Sequence, residues 1–424
     1  MSVQRLLLIC LICAGGVLLV AVAVTTPWRP LAEPPGGFAH PDAARDFTAA
    51  EIARGRALAR ASRPPAYLSM ALSLVVSLVL GLTPAGARIV EVVARPLGGG
   101  WVWRILLGGL VLMLVGRLAT LPFAARLEVV RRRYGLSVQS WGGWWVDVVK
   151  GFAMSTGLLL VVVLVLYALI RALPRAGWLL AAGGGALLVV AISFLYPLVV
   201  EPAFNKFHSM PDGPLRSSLM QLAERDGVPV EDVLVADASR RTTSLNAYVS
   251  GFGSTRRIVV YDTTVRDADP REVELIAAHE LGHAKRDDVL HGTLVGALAL
   301  AVGVCAVGLL MSWSPLLRRA GADAAGDPRS LALLLAVVAV LGAVSGPGQM
   351  LISRRLEARA DVHALDLTRD PDAFIRMQHR LAIVNRSNVT PNPVLQVLFG
   401  SHPSAPERIA LARDWERLHG NGKG

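Results

Sequence analysis

Apolar residues along the 424-residue chain gather into seven runs, each long enough to cross a bilayer. They are Leu6 to Val24, Ala66 to Ala87, Ile105 to Ala125, Phe152 to Ile170, Trp178 to Val200, Val289 to Trp313 and Leu331 to Ile352. The first, fourth, sixth and seventh are the strongest. The third carries Arg117, which either faces a polar interior or ends the span. The second is bounded by Pro64-Pro65 and by Pro84. The first run has the position of a signal peptide, but its apolar core of about 19 residues is longer than a usual cleavable segment. No A-x-A site follows it before Pro27-Trp28, and it reads as a retained span.

Two stretches between and beyond these runs are polar enough to fold outside the bilayer: Glu201 to Asp288, and Ser353 to the end. The first contains a helix pattern from Pro214 to Gly227. Three short β-like runs follow, Asp232 to Ala236, Leu245 to Ser250 and Arg257 to Tyr261, the last two joined by a Gly251-Phe252-Gly253-Ser254 turn. The expected organisation is spans one to five with their loops over 1–200, a small α+β insert over 201–288, spans six and seven over 289–352, and a helical tail over 353–424. Two spans separate insert from tail, so parity puts both on one side of the membrane. Of the loops, Thr25 to Pro65 carries Arg29, Arg45, Arg54, Arg56, Arg60 and Arg63, and Arg126 to Lys150 carries Arg131-Arg132-Arg133. Both share the insert's side if all seven spans are real, and the positive-inside rule then makes that side cytoplasmic.

Composition agrees: 53% of residues are hydrophobic and the mean hydropathy is +0.49, too apolar for a soluble chain of this length. The net charge of +11 and pI of 10.3 admit a nucleic-acid partner. The arginines, however, flank apolar runs and lack interleaved aromatic residues, so anionic lipid and topology account for them and no nucleic acid is expected. The three cysteines, Cys10, Cys13 and Cys305, all lie in spans and imply no disulfide framework.

The chemistry is concentrated in Ala278-His279-Glu280-Leu281-Gly282-His283, an H-E-x-x-H string. Residues four apart share one face of a helix, so His279 and His283 can grip one zinc ion with Glu280 beside it as general base. Asp269 as N-cap, Pro270 as first helical residue and Glu272 three positions after the cap give that helix an identifiable start. Catalytic zinc usually has three protein ligands and a water. After the seventh run, Glu357 and Asp361 lie four apart on one face. Glu357 is the natural third ligand, and Asp361 is placed to accept a hydrogen bond from a ligand histidine. The same two carboxylates could instead pair with Arg354, Arg355 and Arg359 on a solvated face.

This combination resembles the integral-membrane zinc metalloproteases of the type I CAAX prenyl endopeptidase family, which couple H-E-x-x-H to a downstream E-x-x-x-D. Further stretches match in order: Pro202 to Phe207 after span five, Ser244-Leu245-Asn246-Ala247-Tyr248, Gly251-Phe252, Arg256 to Thr263, His402-Pro403 and Arg408-Ile409. The resemblance implies an α-helical integral membrane protein with about seven transmembrane helices around a chamber and a small α+β zincin-like domain. It assigns one zinc ion to His279, His283 and Glu357, and the general base to Glu280. It gives Asn246 the substrate backbone, His402 the stabilisation of the tetrahedral intermediate, and Asp361 and Arg408 the support of the ligands. Tyr248 reads as packing.

The match is weak over Val130 to Trp141, where Tyr134-Gly135 is kept but acidic residues give way to Arg131 to Arg133, and the tail after Arg408 is short. The chain closes on Asn421-Gly422-Lys423-Gly424 with no endoplasmic-reticulum retrieval motif. Richness in Ala, Val, Leu, Gly and Arg reads as a bacterial plasma-membrane protein. The expected function is membrane endopeptidase, acting on peptides or proteins with an isoprenylated C-terminus or, alternatively, in membrane-protein quality control. A non-catalytic zinc scaffold is disfavoured by the intact Glu280, since structural zinc needs no base.

Overall fold

The computed structural model describes residues 2–420, so the closing Asn421 to Gly424 lie outside the described residues. Among the described residues, seven helices are long and apolar enough to span a membrane: Val3–Thr25, Ala49–Leu82, Trp101–Arg133, Trp141–Ala172, Gly177–Phe204, Asp288–Met311 and Pro328–Thr368. All seven apolar runs are thus helical, as lipid demands of any segment that must satisfy its own backbone. Large side chains such as Leu19, Val24, Leu187 and Val344 lie exposed on the outer surface where lipid would cover them.

The helices overrun the apolar runs. The second begins at Ala49, with Thr48 and Glu51 forming a capping box, and continues through Pro64 and Pro65. It ends at Leu82, not Ala87, because Pro84 starts a fresh helix, Pro84–Ala94. The seventh continues unbroken across residues 352 and 353, so one helix, Leu331–Thr368, carries both the span and Glu357. Spans two and seven meet through small residues. A Cβ on Gly81 would stand 2.7 Å from the Ala332 carbonyl oxygen and against the Ala336 methyl.

The extramembrane part contains a four-stranded sheet of β1 (Phe207–Ser209), β2 (Asp232–Ala236), β3 (Ala247–Ser250) and β4 (Arg257–Tyr261) in the order β1-β2-β4-β3. β2 and β4 run parallel, and β1 and β3 are antiparallel to their neighbours. β1 has no counterpart in the sequence reading. β3 starts two residues later than expected, because Leu245 N–H bonds to Asn385 Oδ1 and Asn246 N–H to Thr264 Oγ1 instead of to β4. The helix Pro214–Asp226 stops at Gly227, whose φ of 69° terminates it in the left-handed region.

The tail helices Pro371–Val384 and Ala405–His419 complete the sheet's core: Leu222, Val235, Ile258 and Leu275 pack with Phe374, Met377 and Trp415. Insert and tail therefore form one body. Both arginine-bearing loops attach to it. Asp46 pairs with Arg413 and the Ala39 N–H bonds to Asp414, while the Thr242 hydroxyl donates to the Leu136 carbonyl.

The tight crossing of spans two and seven yields a prediction. Gly81→Ala lowers the thermal midpoint of the detergent-purified protein, with a cost of about 1–3 kcal/mol from overpacking. Gly16→Ala, where an added Cβ meets nothing within 4 Å, leaves the midpoint unchanged.

Candidate metal centre and active site

The motif helix, Pro270–Lys285, starts as the sequence dictates: the Asp269 side chain caps Arg271 N–H and Glu272 completes the capping box. It lies against the seventh-span helix, and Gly282 permits the contact, since a Cβ there would be 3.0 Å from the His363 Cβ. That approach brings His279, His283 and Glu357 together, with one donor atom from each within 4.8 Å of the others. His279 Nε2 is 3.2 Å from Glu357 Oε2, and His283 Nε2 is 3.6 Å from Glu357 Oε1.

The group fits a metal on three counts. Two neutral imidazoles and a carboxylate are a donor set that suits zinc and leaves a coordination position open. Glu357 Oε2 is buried and receives no hydrogen bond, an orphan that a cation would satisfy. Each histidine also has its far nitrogen held: His279 Nδ1 lies 2.8 Å from Asp361 Oδ1, and His283 Nδ1 lies 2.8 Å from Asp288 Oδ2. Both Nε2 atoms are thereby left to face the gap. Each supporting carboxylate is in turn gripped by an arginine. Arg408 Nε donates to Asp361 Oδ2 at 2.8 Å, and Arg359 pairs with Asp288.

Glu280 stands between two hollows and lines both. One, of about 460 Å³, is also lined by Asn246, His279, Glu357, His402 and Arg408. The other, of about 260 Å³, is lined by Val249, Phe252, Arg256, His283 and Leu290. β3 runs between them at the edge of the sheet, with Asn246 before its first residue. Burial pushes the Glu280 carboxyl above its usual range. In His279 burial opposes the charge, but Asp361 and Glu357 outweigh it and hold the pKa up at about 9.

The chain is similar to known proteins. Residues 209–416 match the model for peptidase family M48, and residues 40–206 match that for the CAAX prenyl protease N-terminal region, described as five membrane helices. An uncharacterized metalloprotease of Bacillus subtilis, YhfN, is 32% identical over 312 residues, 72% of each chain. The chain belongs to peptidase family M48. A CAAX prenyl protease 1 homolog of Arabidopsis thaliana is 28% identical over 304 residues, 69% of each chain. The crystal structure of S. mikatae Ste24p shares the fold, with a TM-score of 0.76 at 20% identity, over 96% of this chain and 98% of that one. Membership makes the protein a membrane metallopeptidase that hydrolyses peptide or protein substrates, and implies a metal.

In this M48 peptidase Asn246, His279, Glu280, Glu357, His402 and Arg408 line one hollow. His402 Nε2 lies 3.3 Å from Glu357 Oε1. Its loop is tied down by Gln396, whose side chain donates to the His402 carbonyl at 2.8 Å, and by Arg354, which donates to the Gln396 carbonyl at 2.9 Å. The Asn246 backbone is fixed by Thr264, and its exposed side chain lines the larger hollow. Arg354 and Arg359, the alternative partners for Glu357 and Asp361, turn instead to the His402 loop and to Asp288. The sequence reading gave neither Asp288 nor Arg359 a role in supporting the ligands. The available signal was an acid five positions after the second motif histidine.

Two outcomes follow for metal binding. A proton on His279 must leave before a metal enters, so zinc affinity of the metal-free protein rises with pH, about tenfold per unit for one displaced proton. It levels off above the His279 pKa of about 9. Asp288→Asn, which frees the His283 ring, weakens zinc binding by about 10–100-fold. Competition with a chromophoric chelator measures both.

Proposed function

We propose that this M48 peptidase is a zinc-dependent endopeptidase of the CAAX prenyl protease type. It acts from the cytoplasmic face of a bacterial plasma membrane on C-terminal segments that carry an isoprenoid. The observation that carries the reading is Glu280, buried between two hollows and beside a three-donor group at the edge of β3. The relatives named CAAX prenyl protease 1 homologs support the substrate class.

In this reading His279, His283 and Glu357 hold the zinc. When bound, zinc supplies Lewis acidity, lowering the pKa of water and polarising the scissile carbonyl. An extended peptide lies along the β3 edge and crosses from one hollow to the other, so its scissile bond passes Glu280. Asn246 holds the peptide backbone at that point. Glu280 takes the proton of the attacking water and delivers it to the departing amine. Its raised pKa suits both transfers, because burial brings its proton affinity closer to the working pH. Ser401 Oγ lies 2.8 Å from His402 Nδ1. A hydroxyl donating there leaves the proton on Nε2, which can donate to the carbonyl oxygen as it gains charge. Asp361 with Arg408, and Asp288 with Arg359, keep the two ligand rings in register.

A second reading has support of its own. Backbone pairing along β3 tolerates varied side chains, the composition is bacterial in character, and YhfN is a Bacillus protein. These favour turnover of unmodified membrane proteins.

Cleavage of quenched peptides with and without a farnesyl cysteine separates the readings. A farnesyl preference supports CAAX processing, and equal or better cleavage of the unmodified peptide supports general turnover. In either case Glu280→Gln abolishes cleavage while zinc content stays at one per chain. A variant that still cuts would remove Glu280 from its assigned role. The membrane side is tested with membrane-impermeant maleimide on intact cells, in a background without native cysteines. Ala324→Cys, in the exposed loop between spans six and seven, is labelled, whereas Ser254→Cys, exposed beside β3, is protected.

A further inference from the structure

Spans two, three, four and seven line a hollow of about 730 Å³ that shares no lining residue with the two hollows at Glu280. Its wall is mostly apolar, with Val76, Leu112, Met113, Phe152 and Leu335 among its residues, but Arg117 lines it too. Arg117 sits midway along the helix Trp101–Arg133, about 24 Å from either end at 1.5 Å per residue. It also lies near the middle of the apolar run Ile105 to Ala125, where an ionisable residue needs a partner or water.

Among the described residues Arg117 has no ion pair, and its buried Nε has no hydrogen-bond partner. The one carboxylate in the cavity wall, Asp147, is already engaged by Arg241 at 2.9 Å. Facing the same space are the hydroxyls of Ser73 and Ser77, one helical turn apart, which make no side-chain hydrogen bond among the described residues. Thr120 and Ser155 spend theirs on carbonyls of their own helices. The cavity wall therefore carries a cation and two free hydroxyls among mostly apolar residues, and no free carboxylate.

We propose that this cavity binds an acidic amphiphile. Its carboxylate or phosphate head is held by Arg117 with Ser73 and Ser77, and its hydrocarbon chain lies on the apolar wall. A peptide fits less well, since its backbone would bring N–H and C=O groups against walls that offer them no partners. The head group supplies the charge that Arg117 lacks, and a charge-assisted hydrogen bond in so apolar a setting is strong. The proposal is independent of the catalytic reading, because its readout is binding.

The test uses the delipidated full-length protein in detergent, with radiolabelled oleate against oleyl alcohol, and phosphatidylglycerol against phosphatidylcholine. Wild type binds oleate, phosphatidylglycerol or both saturably at one per chain, and the arm that binds tighter tells a free acid from a phospholipid head. Arg117→Gln weakens that binding by about tenfold or more. Arg117→Lys retains most of it, which shows that the loss reflects charge and not folding. The neutral lipids bind weakly to wild type and variant alike. Equal binding of oleate by wild type and Arg117→Gln, or oleyl alcohol matching oleate, overturns the proposal. So does an Arg117-dependent affinity found only for a peptide α-carboxylate, which would make the cavity part of the substrate path.

Discussion

His279 and Asp361 stand 82 positions apart in sequence and 2.8 Å apart in space, and the close approach of their two helices is the constraint on which the site depends. The motif helix alone presents two imidazoles and an acid. The seventh-span helix alone presents two carboxylates. Only where Gly282 lets them touch does the three-donor group form with both rings oriented. The long seventh helix transmits this to the membrane. It is one continuous helix from Leu331 to Thr368, with Pro347 inside it, so the position of Glu357 follows how the spans pack around Ala332 and Ala336, several turns below. A site on that helix stays close to the end of the seventh apolar run.

The arrangement of charge around the ligands follows from burial. A buried carboxylate is tolerated when a cation faces it, and Asp361, fully buried, has Arg408 on one side and the His279 ring on the other. Asp288 repeats the pattern with Arg359 and His283. The two supports come from opposite flanks of the motif helix, one from the seventh-span helix and one from the start of the sixth span. The tail contributes Arg408, so the C-terminal helix closes the site as well as the core. Insert and tail thus share one hydrophobic core.

Much of this was legible in the sequence, for particular reasons. The seven spans were readable because lipid leaves so few alternatives for an apolar run. The motif helix was readable because its capping box and Pro270 mark its start. Helix ends were not. Beyond the bilayer a helix such as Ala49–Leu82 carries arginines and prolines that resemble a loop, and only tertiary contacts keep it helical. β1, at three residues, is too short to show a period. The start of β3 was misplaced because Asn385, 140 positions away, takes the hydrogen bond that a strand residue would have made. Asp288 was hidden by its neighbourhood, since an acid at the head of an apolar run reads as an ordinary helix start.

Arginine illustrates most plainly what sequence leaves open. Arg359 follows the seventh apolar run, Arg241 lies in the insert and Arg117 lies inside the third run, and the sequence names a partner for none of them. In space Arg359 faces Asp288 and Arg241 faces Asp147, so each neutralises a carboxylate and stiffens a junction between membrane and insert. Arg117 faces a hollow. A guanidinium in hydrocarbon is expensive by any measure, so the hollow beside it has to supply either water or an anion. Both differ from a packed apolar wall, and they differ from each other in one respect: water solvates the charge without regard to what else enters, whereas an anion competes for it. The free hydroxyls of Ser73 and Ser77 favour the second. Water can satisfy hydroxyls at any surface, but a cation that shares its hollow with free hydroxyls and no free carboxylate defines a place with a sign.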